Sequence, residues 1–252
     1  MSLIDLVRRN RLRLEEDFRD SPLRWRFSPA RWLLLKAVIP ELQKHVEGDV
    51  LDVGCGQMPF RVYLEHCFRS YEGLDCERRS PHTKYIGDAQ DMSDVADESY
   101  DTVMSVSVLE HLAHPSRALG EMKRVCRPGG RIVVATPFLA RYHEEPHDYF
   151  RYTRHALEMF GQEHAMETNH IRPYGGLATF VGHQVSTVLI SATWGIPLLK
   201  WLIFWMNYWL IVRFTYWFDG VMTFGGKMPL GHVCVYRKKA DGEAAENGEA
   251  AR

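Results

Sequence analysis

The sequence predicts a doubly wound α/β fold, in which helices flank a mostly parallel sheet. The first observation is an apolar strand at residues 50–53 that runs directly into the glycine turn Gly54-Cys55-Gly56. The second is residues 100–106, an apolar segment without alternation, which is typical of a central parallel strand. The third is the recurrence of further strand patterns between residues 71 and 137. A chain of 252 residues, of which 46% are hydrophobic, can form one such domain with a substantial core.

Composition limits the classes of function. The formal net charge of -1 argues against a protein that binds nucleic acid mainly through its charge. The five cysteines are scattered and include no C-x-x-C pair, which favours reduced thiols over a disulfide framework or a zinc site. The first residues lack the basic and then apolar pattern of a signal peptide. We therefore expect a cytoplasmic protein that does not bind nucleic acid.

Residues 1–48 are predicted to form a basic, helical cap. Ser28 and Pro29 suit the start of a helix, because proline is tolerated in the first turn. The cap can pack on the domain as a lid. Alternatively, its arginine-rich surface can face an anionic lipid or an anionic substrate.

The glycine turn indicates a ligand site, since glycine lets the backbone come close to a ligand. It is not a dinucleotide fingerprint, because Pro59 stands where G-x-G-x-x-G requires its third glycine. It is not a phosphate-binding loop either, because no Gly-Lys-Ser/Thr follows. Asp52, two residues before Gly54, instead suits a cationic ligand.

The next elements follow in the order that an α/β unit requires. Residues 61–67 are predicted to form the first helix, and residues 71–75 a second strand that ends in Asp75. Asp75 lies about 20 residues after the glycine turn, where nucleotide sites place a carboxylate on ribose hydroxyls. The third strand ends near Asp88, and residues 127–137 give a turn and the fifth strand.

Five of these segments together resemble the motifs of class I, type 11-like methyltransferases that use S-adenosylmethionine. The matching segments are D-x-G-C-G at 52–56, the strand ending in Asp75, Asp88 with a small residue after it, V-L-E-H-L at 108–112 and R-P-G-G at 127–130. The family's loop often has one more glycine, at whose position this chain has Met58. The resemblance implies a Rossmann-like sheet of seven strands, in which residues 167–174 and 231–237 form an antiparallel hairpin at the edge.

The resemblance also implies the cofactor and its ligands. In that family the loop wraps the methionine end and the ribose of the cofactor, and the position of Asp88 receives the adenine amino group. The implied cofactor is S-adenosyl-L-methionine, with S-adenosyl-L-homocysteine as product. Its predicted ligands are Asp52, Gly54, Cys55, Gly56, Asp75, Asp88 and Ala89, with Ser105 and Val106 offering backbone atoms at the exit of the fourth strand.

Residues 138–153 are predicted to form the substrate side of the site. Ligands of open α/β sheets bind beyond the carboxyl ends of the strands, and this segment follows the fifth strand. It resembles an H-x-x-P-x-D-[FY]-[FY]-R-Y-T signature of bacterial methyltransferases, several of which are linked to cell-surface saccharides or lipids. The predicted substrate-binding residues are Tyr142, Tyr149, Arg151 and Tyr152.

The same segment offers candidates for a general base. An oxygen nucleophile must lose its proton, and histidine is the natural base near neutral pH. His143 and His147 are the main candidates, with Asp148 to orient one of them and His111 as a third choice. The spacing of His143 and His147 would suit a metal on a helix, but Pro146 between them argues against a helix. We expect no metal.

Residues 175–230 are predicted to be a hydrophobic helical insertion before the last strand. A break at residues 195–197 divides it into two helices, and Trp201, Trp205 and Trp209 share one face of the second. Neither helix is long and apolar enough for a crossing, so a shallow hairpin in one leaflet fits best. The alternatives are a homodimer core and a substrate lid.

The predicted organisation has four parts: a cap at 1–48, a methyltransferase core at 49–174 plus 231–238, the insertion at 175–230 and a disordered tail at 239–252. The predicted function is O-methylation of a lipid-linked saccharide or other amphiphile, by a cytoplasmic enzyme peripheral to the inner face of the membrane through residues 177–218. One alternative is a methyltransferase of a soluble small molecule, with the insertion as dimer interface. Another is a non-catalytic, cofactor-binding subunit of a membrane complex.

Overall fold

Seven strands form a single sheet in the order β3-β2-β1-β4-β5-β7-β6. The computed structural model describes residues 3–18, 21–222 and 226–240. The strands are β1 (Gly48–Val53), β2 (Phe68–Asp75), β3 (Thr83–Ile86), β4 (Tyr100–Val106), β5 (Cys126–Pro137), β6 (Glu167–Tyr174) and β7 (Gly231–Arg237). The chain order β1, β2, β3 runs outward from the centre and then returns to β4, which is the doubly wound arrangement that the sequence predicts.

The register of the strands places their carboxyl ends together. β1 pairs in parallel with β2 and β4, so that Asp52 lies opposite Gly73 on one side and Met104 on the other. β4 pairs in parallel with β5, and β7 runs antiparallel to β5. The mostly parallel sheet of seven strands is thereby confirmed.

The core of the sheet unit is apolar on both faces of the central strands. Leu51, Val103 and Ile132 on β1, β4 and β5 are fully buried, and burial of such a side chain is worth about 1.5–3 kcal/mol. Helix α4 (Pro115–Val125) contributes Leu119 and Met122 to the same cluster. The flanking helices of this unit also include α3 (Ile39–His45) and α5 (Arg154–Glu163).

The helix predicted at residues 61–67 is wrong. Only one turn of 3-10 helix forms, at Arg61–Tyr63, and the chain then turns through hydrogen bonds from Leu64 N to Arg61 O and from Cys67 N to Leu64 O. Strand β2 begins at Phe68, three residues before the predicted strand. The long glycine loop before it and this early strand leave too few residues for a helix of several turns.

The chain divides into two compact units. One comprises residues 39–172 and 231–252 and holds most of the sheet; the other comprises residues 1–38 and 173–230 and is helical. This division differs from the predicted one, because the N-terminal helices and the insertion belong to one body. Residues 39–48 go with the sheet, since α3 packs on β5.

The helical unit is built from both of its chain segments. Its elements are α1 (Leu3–Asp17), a 3-10 turn (Pro22–Trp25), α2 (Pro29–Leu33), a π-helical turn (Leu34–Val38), α6 (Leu177–Thr193), α7 (Pro197–Met206), a second π-helical turn (Asn207–Val212) and α8 (Arg213–Val221). The break predicted at residues 195–197 lies between α6 and α7. Ser28 caps α2 by accepting a hydrogen bond from Arg31 N, as a residue before a helix commonly does.

An aromatic cluster joins the two segments of this unit. Phe18 and Phe27 from the first segment pack with Ile190, Trp194 and Phe204 from the second. Burial of these large rings dominates the packing. Within the described ranges no helix is long and apolar enough to cross a membrane. Of the tail predicted at 239–252, residues 241–252 lie outside the described residues.

Polar contacts reinforce that cluster. The carbonyl oxygen of Phe27 accepts hydrogen bonds from Ser186 Oγ at 2.9 Å and from Asn207 Nδ2 at 3.0 Å. The Asp219 carboxylate accepts from the N–H groups of Ala178 and Thr179 at the start of α6. That contact supplies partners for N–H groups that a helix start leaves free.

Candidate active site

A cavity of about 700 Å³ lies beyond the carboxyl ends of β1 to β4. Each of these strands contributes residues just past its last position: Gly54 after β1, Asp75 and Cys76 at the end of β2, Asp88 after β3 and Val108 after β4. The opposite wall comes from the segment that follows β4 and from the loop between β5 and α5. Crevices at this edge are where open α/β sheets bind ligands.

The glycine turn forms one wall of the cavity and is held by β2. Gly54 has φ +71°, and a Cβ there would lie 2.3 Å from Val108 Cγ2, so no other residue fits without displacing that side chain. Gly56 also has positive φ, and its N–H donates to Asp75 Oδ2 at 2.8 Å. The turn therefore keeps its shape through a carboxylate that also lines the cavity.

Asp52 lies beneath the turn and does not line the cavity. Its carboxylate accepts a hydrogen bond from Tyr71 Oη at 2.7 Å and is 3% exposed. Burial raises the pKa of Asp52 to about 7, and the nearby Asp75 adds to that shift. Asp52 therefore supports the turn from below, and its contact with the cofactor stays a prediction.

Cys55 contributes its backbone to the turn, while its side chain faces the sheet. The Sγ atom lies 3.6 Å from Thr83 Oγ1, and burial raises the pKa of the thiol to about 12. A Cβ at Gly73 would lie 2.5 Å from this sulfur. The side chain of Cys55 therefore packs against β2 instead of facing a ligand.

The exit of β4 lies one to two residues later than predicted. Ser105 and Val106 are inside the strand, opposite Val134 and Ala135, and Ser105 Oγ donates to Val53 O at 3.0 Å. The residues that line the cavity at this exit are Ser107, with φ +56°, and Val108. The sequence pattern does not show where the hydrogen-bonded pairing of β4 with its neighbouring strands ends.

The predicted acids of the second and third strands do line the cavity. Asp75 Oδ1 accepts a hydrogen bond from Glu77 N at 3.2 Å, and Asp88 Oδ1 accepts one from Gln90 N at 2.8 Å. Ala89 lies beside Asp88 on the same wall. Carboxylates at two strand ends, with a turn that leaves no room for a Cβ, fit a ligand with hydroxyls, an amino group and a cationic centre. Cavity residues that the sequence did not single out are Cys76, Arg79, Ile86, Gly87, Leu112 and Glu144.

A partly buried ion pair holds the loop between β5 and α5 together. Arg151 donates to both oxygens of Asp148, at 2.6 and 2.8 Å, and also to the carbonyl oxygen of Arg141 at 2.9 Å. The Arg151 guanidinium holds the pKa of Asp148 well below its usual range. Asp148 in turn accepts from His143 N at 2.9 Å. Arg151, which is predicted to bind substrate, thus also stabilises the loop through these hydrogen bonds.

The three predicted tyrosines occupy different surroundings. Tyr142 is 79% exposed. Tyr149 places its hydroxyl 2.9 Å from His147 Nδ1, beside the cavity. Tyr152 is buried and donates to Leu109 O at 2.8 Å, and burial raises its pKa. Tyr149 thus contacts a residue that lines the cavity.

Three histidines line the far wall of the cavity: His111, His143 and His147. The His111 and His143 rings meet edge to face, with centroids 4.8 Å apart. Nδ1 of His111 donates to His147 O at 2.6 Å. Nδ1 of His147 faces Tyr149, and its Nε2 has no partner among the described residues, which leaves that nitrogen available to a ligand.

Glu110 is a further residue at the site that the sequence did not single out. Its side chain is fully buried, and neither carboxylate oxygen has a hydrogen-bond partner in the described part of the chain. The nearest polar atoms are His111 Nε2 at 3.8 Å and His143 Nε2 at 3.9 Å. The Glu110 carboxylate raises the pKa of His143, and burial opposes that shift. Glu110 stood within the V-L-E-H-L segment, but nothing in the sequence revealed its burial.

Comparison with known proteins identifies the family. The family model described as "Methyltransferase domain" matches residues 13–179. The chain belongs to this methyltransferase family. S-adenosylmethionine is its cofactor, and the residues on the cavity wall fit that molecule: the turn at Gly54 leaves space for backbone contact, and Asp75 and Asp88 offer carboxylates.

Sequence matches to curated relatives extend over parts of this chain. It is 37% identical over 97 residues to phthiotriol/phenolphthiotriol dimycocerosates methyltransferase 1 of Mycobacterium ulcerans, a match that covers 33% of this chain and 35% of the relative. It is 30% identical over 147 residues to an uncharacterized methyltransferase of Mycolicibacterium vanbaalenii, which covers 51% of this chain and 58% of the relative. The matches thus span about a third to three-fifths of these relatives.

Solved structures share the fold. A SAM-dependent methyltransferase of Thermotoga maritima, described as a possible histamine N-methyltransferase, superposes with a TM-score of 0.53 at 16% identity. The superposition covers 90% of this chain and 99% of that one. At this identity the likeness concerns the fold alone.

Proposed function

We propose that the methyltransferase O-methylates a lipid-linked saccharide or other amphiphile at a membrane surface, on the cytoplasmic side. The observation that carries this proposal is the exposed apolar surface of the helical unit. Leu198 is 90% exposed, and neighbouring large side chains on α7, the π-helical turn and α8 are also exposed. These are Trp201, Leu202, Trp205, Trp209, Leu210, Phe214 and Trp217.

The composition of this surface favours a lipid interface. Tryptophan is enriched where hydrocarbon meets head groups. Lys200 lies 5.7 Å from the ring centre of Trp201, and Arg213 lies 5.0 Å from that of Trp209. Cations beside such rings would meet anionic head groups while the rings enter the acyl boundary. Large exposed apolar patches are rare on monomeric soluble proteins.

A relative supports the choice of a lipid substrate. The Mycobacterium ulcerans protein is named for phthiotriol and phenolphthiotriol dimycocerosates. Its matched segment is short, so it supports the substrate class and not a particular molecule.

The roles in the cavity follow from its geometry. Bound S-adenosylmethionine supplies an electrophilic methyl group on a sulfonium sulfur. The glycine turn, Asp75 and Asp88 would hold that cofactor. His147 is the best-placed general base, because its Nε2 has no hydrogen-bond partner among the described residues, while the Tyr149 hydroxyl contacts its Nδ1. Much of the remaining catalysis is the alignment of acceptor and donor.

Flotation on vesicles that contain anionic phospholipid tests the membrane contact. Trp205→Glu and Trp209→Glu place a charge on the apolar surface at positions that are 39% and 57% exposed. Met159→Glu is the matched control, since Met159 is 64% exposed on α5 of the sheet unit. The wild type and the control should float, and the tryptophan variants should not. Flotation of both tryptophan variants at wild-type level would contradict the proposal.

Turnover tests the substrate class. Methyl-labelled S-adenosylmethionine should pass label into the lipid fraction of a bacterial extract in the presence of the wild-type protein. Label found only in water-soluble products would favour the second candidate function, methylation of a soluble small molecule. The same exposed surface would then serve a homodimer, which sedimentation without lipid would detect as concentration-dependent mass.

A further inference from the structure

Glu110, His111 and His143 bring one carboxylate and two imidazoles together at the cavity wall. One potential ligand atom from each lies within 4.8 Å of the others. Both histidines line the cavity, and Glu110 lies directly behind them. Two histidines and a glutamate, with open positions for other ligands, are a known donor set for zinc.

The hydrogen bonds of the two histidines leave their Nε2 atoms facing the carboxylate. Nδ1 of His111 lies 2.6 Å from the carbonyl oxygen of His147, and Nδ1 of His143 lies 3.1 Å from that of Arg141. A carbonyl oxygen only accepts, so each Nδ1 carries the proton. In the neutral rings, both Nε2 lone pairs therefore point toward Glu110. Metal-binding histidines commonly donate their other N–H to a backbone carbonyl in this manner.

Glu110 has no positive partner within hydrogen-bonding distance among the described residues. Its carboxylate is fully buried, and an ionised carboxylate without partners is costly to bury. The histidine nitrogens at 3.8 and 3.9 Å are too far for hydrogen bonds. Ligands bound to zinc at about 2.0–2.2 Å lie roughly 3.3 Å apart in a tetrahedral site. Side-chain shifts of about half an ångström would bring the two carboxylate–histidine distances to that spacing.

We propose that Glu110, His111 and His143 bind one divalent transition-metal cation, with zinc as the reference ion. A second group of the same composition, Glu41 with His45 and His170, offers a contrast. There the carboxylate is already satisfied, because Lys44 and Arg172 both bond to it. Compared with Glu41, Glu110 is the carboxylate without a bonded cationic side chain among the described residues.

The role of the cation rests on the proposed O-methylation. Glu110, His111 and His143 would hold the cation beside the cavity, where it would lower the pKa of an acceptor hydroxyl. The hydroxyl proton passes to Nε2 of His147. The oxygen forms the new bond to the methyl carbon while the bond from carbon to sulfur breaks, and the sulfonium becomes a neutral thioether. His143 and His111 then serve as ligands, and His147 remains the base.

Metal binding is measured on the full chain, without any acceptor. The protein is stripped with a chelator, and zinc binding is followed by calorimetry and cobalt binding by visible absorption. The wild type should bind one ion per chain. His143→Ala and Glu110→Gln should weaken zinc binding at least about 100-fold, since loss of a ligand costs more than loss of its outer partner. His170→Ala, in the contrasting group, should bind as the wild type does.

Folding and cofactor binding are checked separately. His143 lies on a loop with its side chain partly exposed, so His143→Ala remains informative if Glu110→Gln fails to fold. S-adenosylhomocysteine binding should persist in His143→Ala. Absence of a stoichiometric ion in the wild type, or unchanged affinity in His143→Ala, would overturn the proposal. A bound ion together with failed flotation and no lipid labelling would instead remove the proposed substrate and leave the metal site in place.

Discussion

Asp52 is a buried acid whose surroundings oppose its charge. Its pKa is about 7 in the folded chain, against an ordinary value of 3.8. Between these values the folded state keeps a proton that the unfolded state has lost. Stability therefore falls as pH rises from about 4 to about 7, and the loss is complete above 7.

We expect Asp52→Asn to remove this pH dependence. The variant should match the wild type in urea unfolding near pH 4 and exceed it at pH 8, by up to about 4 kcal/mol at about 1.4 kcal/mol per pKa unit. Asp94→Asn, at an exposed position, is the control and should leave the profile unchanged. A wild-type profile that rises from pH 4 to pH 7 relative to Asp52→Asn would show that the sign is wrong.

Gly54 and Gly56 separate two effects of adding a side chain to the turn. Both have positive φ, which costs an alanine about 1–2 kcal/mol. Only at Gly54 would the new Cβ also meet Val108, whereas nothing lies within 4 Å at Gly56. Gly54→Ala should therefore weaken S-adenosylhomocysteine binding, measured by calorimetry, at least tenfold more than Gly56→Ala. Equal losses would mean that backbone conformation alone matters.

His147 is the residue whose removal should affect the chemical step. His147→Ala should lower kcat by about 10²–10⁴-fold with little change in cofactor affinity, since general-base catalysis contributes about that much. The control is His155→Ala, because that side chain is 81% exposed on α5. Steady-state rates with the lipid acceptor decide the outcome. A kcat within twofold of the wild type would exclude His147 as the base.

At the scale of elements, the loop between β5 and α5 depends on its internal ion pair. Arg151→Met would leave Asp148 buried without its partner, a change that typically costs about 3–5 kcal/mol. Hydrogen exchange in residues 141–151 should therefore quicken at least tenfold. Arg154→Met breaks an exposed pair with Glu158 and is the matched control. Similar exchange in both variants would show that the ion pair does not order the loop.

The strands were predictable, whereas their exact ends and one helix were not. Apolar segments and their spacing predicted the strands β1, β2, β4, β5, β6 and β7. The glycines that directly follow β1 predicted the turn at Gly54. The helix expected at 61–67 failed, because its length depended on where β2 begins, which pairing with β1 decides. The exit of β4 moved from Ser105 to Ser107 for the same reason.

The sequence predicted several residues that line the site, but it did not predict the contacts that their side chains make. Asp75, Asp88, His143 and His147 line the cavity because the order of the strands places them there. Asp52 does not line the cavity. Its burial beneath the turn depends on tertiary packing, which the sequence pattern does not show. Glu110 had no assigned role, since its position within V-L-E-H-L gives no sign that its carboxylate is buried without hydrogen-bond partners among the described residues.

At the scale of the whole molecule, the helical unit needs both of its chain segments. Replacing residues 177–218 with a short Gly/Ser linker would remove Ile190, Trp194 and Phe204 and uncover Phe18 and Phe27. We expect this variant to aggregate, as measured by light scattering, while Trp205→Glu stays soluble. A soluble deletion variant with a cooperative melting transition would show that the N-terminal helices do not require the insertion.

The division of the helical unit between residues 1–38 and 173–230 has a consequence during synthesis on the ribosome. The first segment emerges long before its packing partners. At about 5–20 residues per second, the intervening residues 39–172 take on the order of ten seconds to translate. The sheet also lacks β7 until residues 231–237 appear. Neither unit can therefore close until residues 173–237 have been translated, and the nascent N-terminal helices carry unburied aromatic rings throughout that interval.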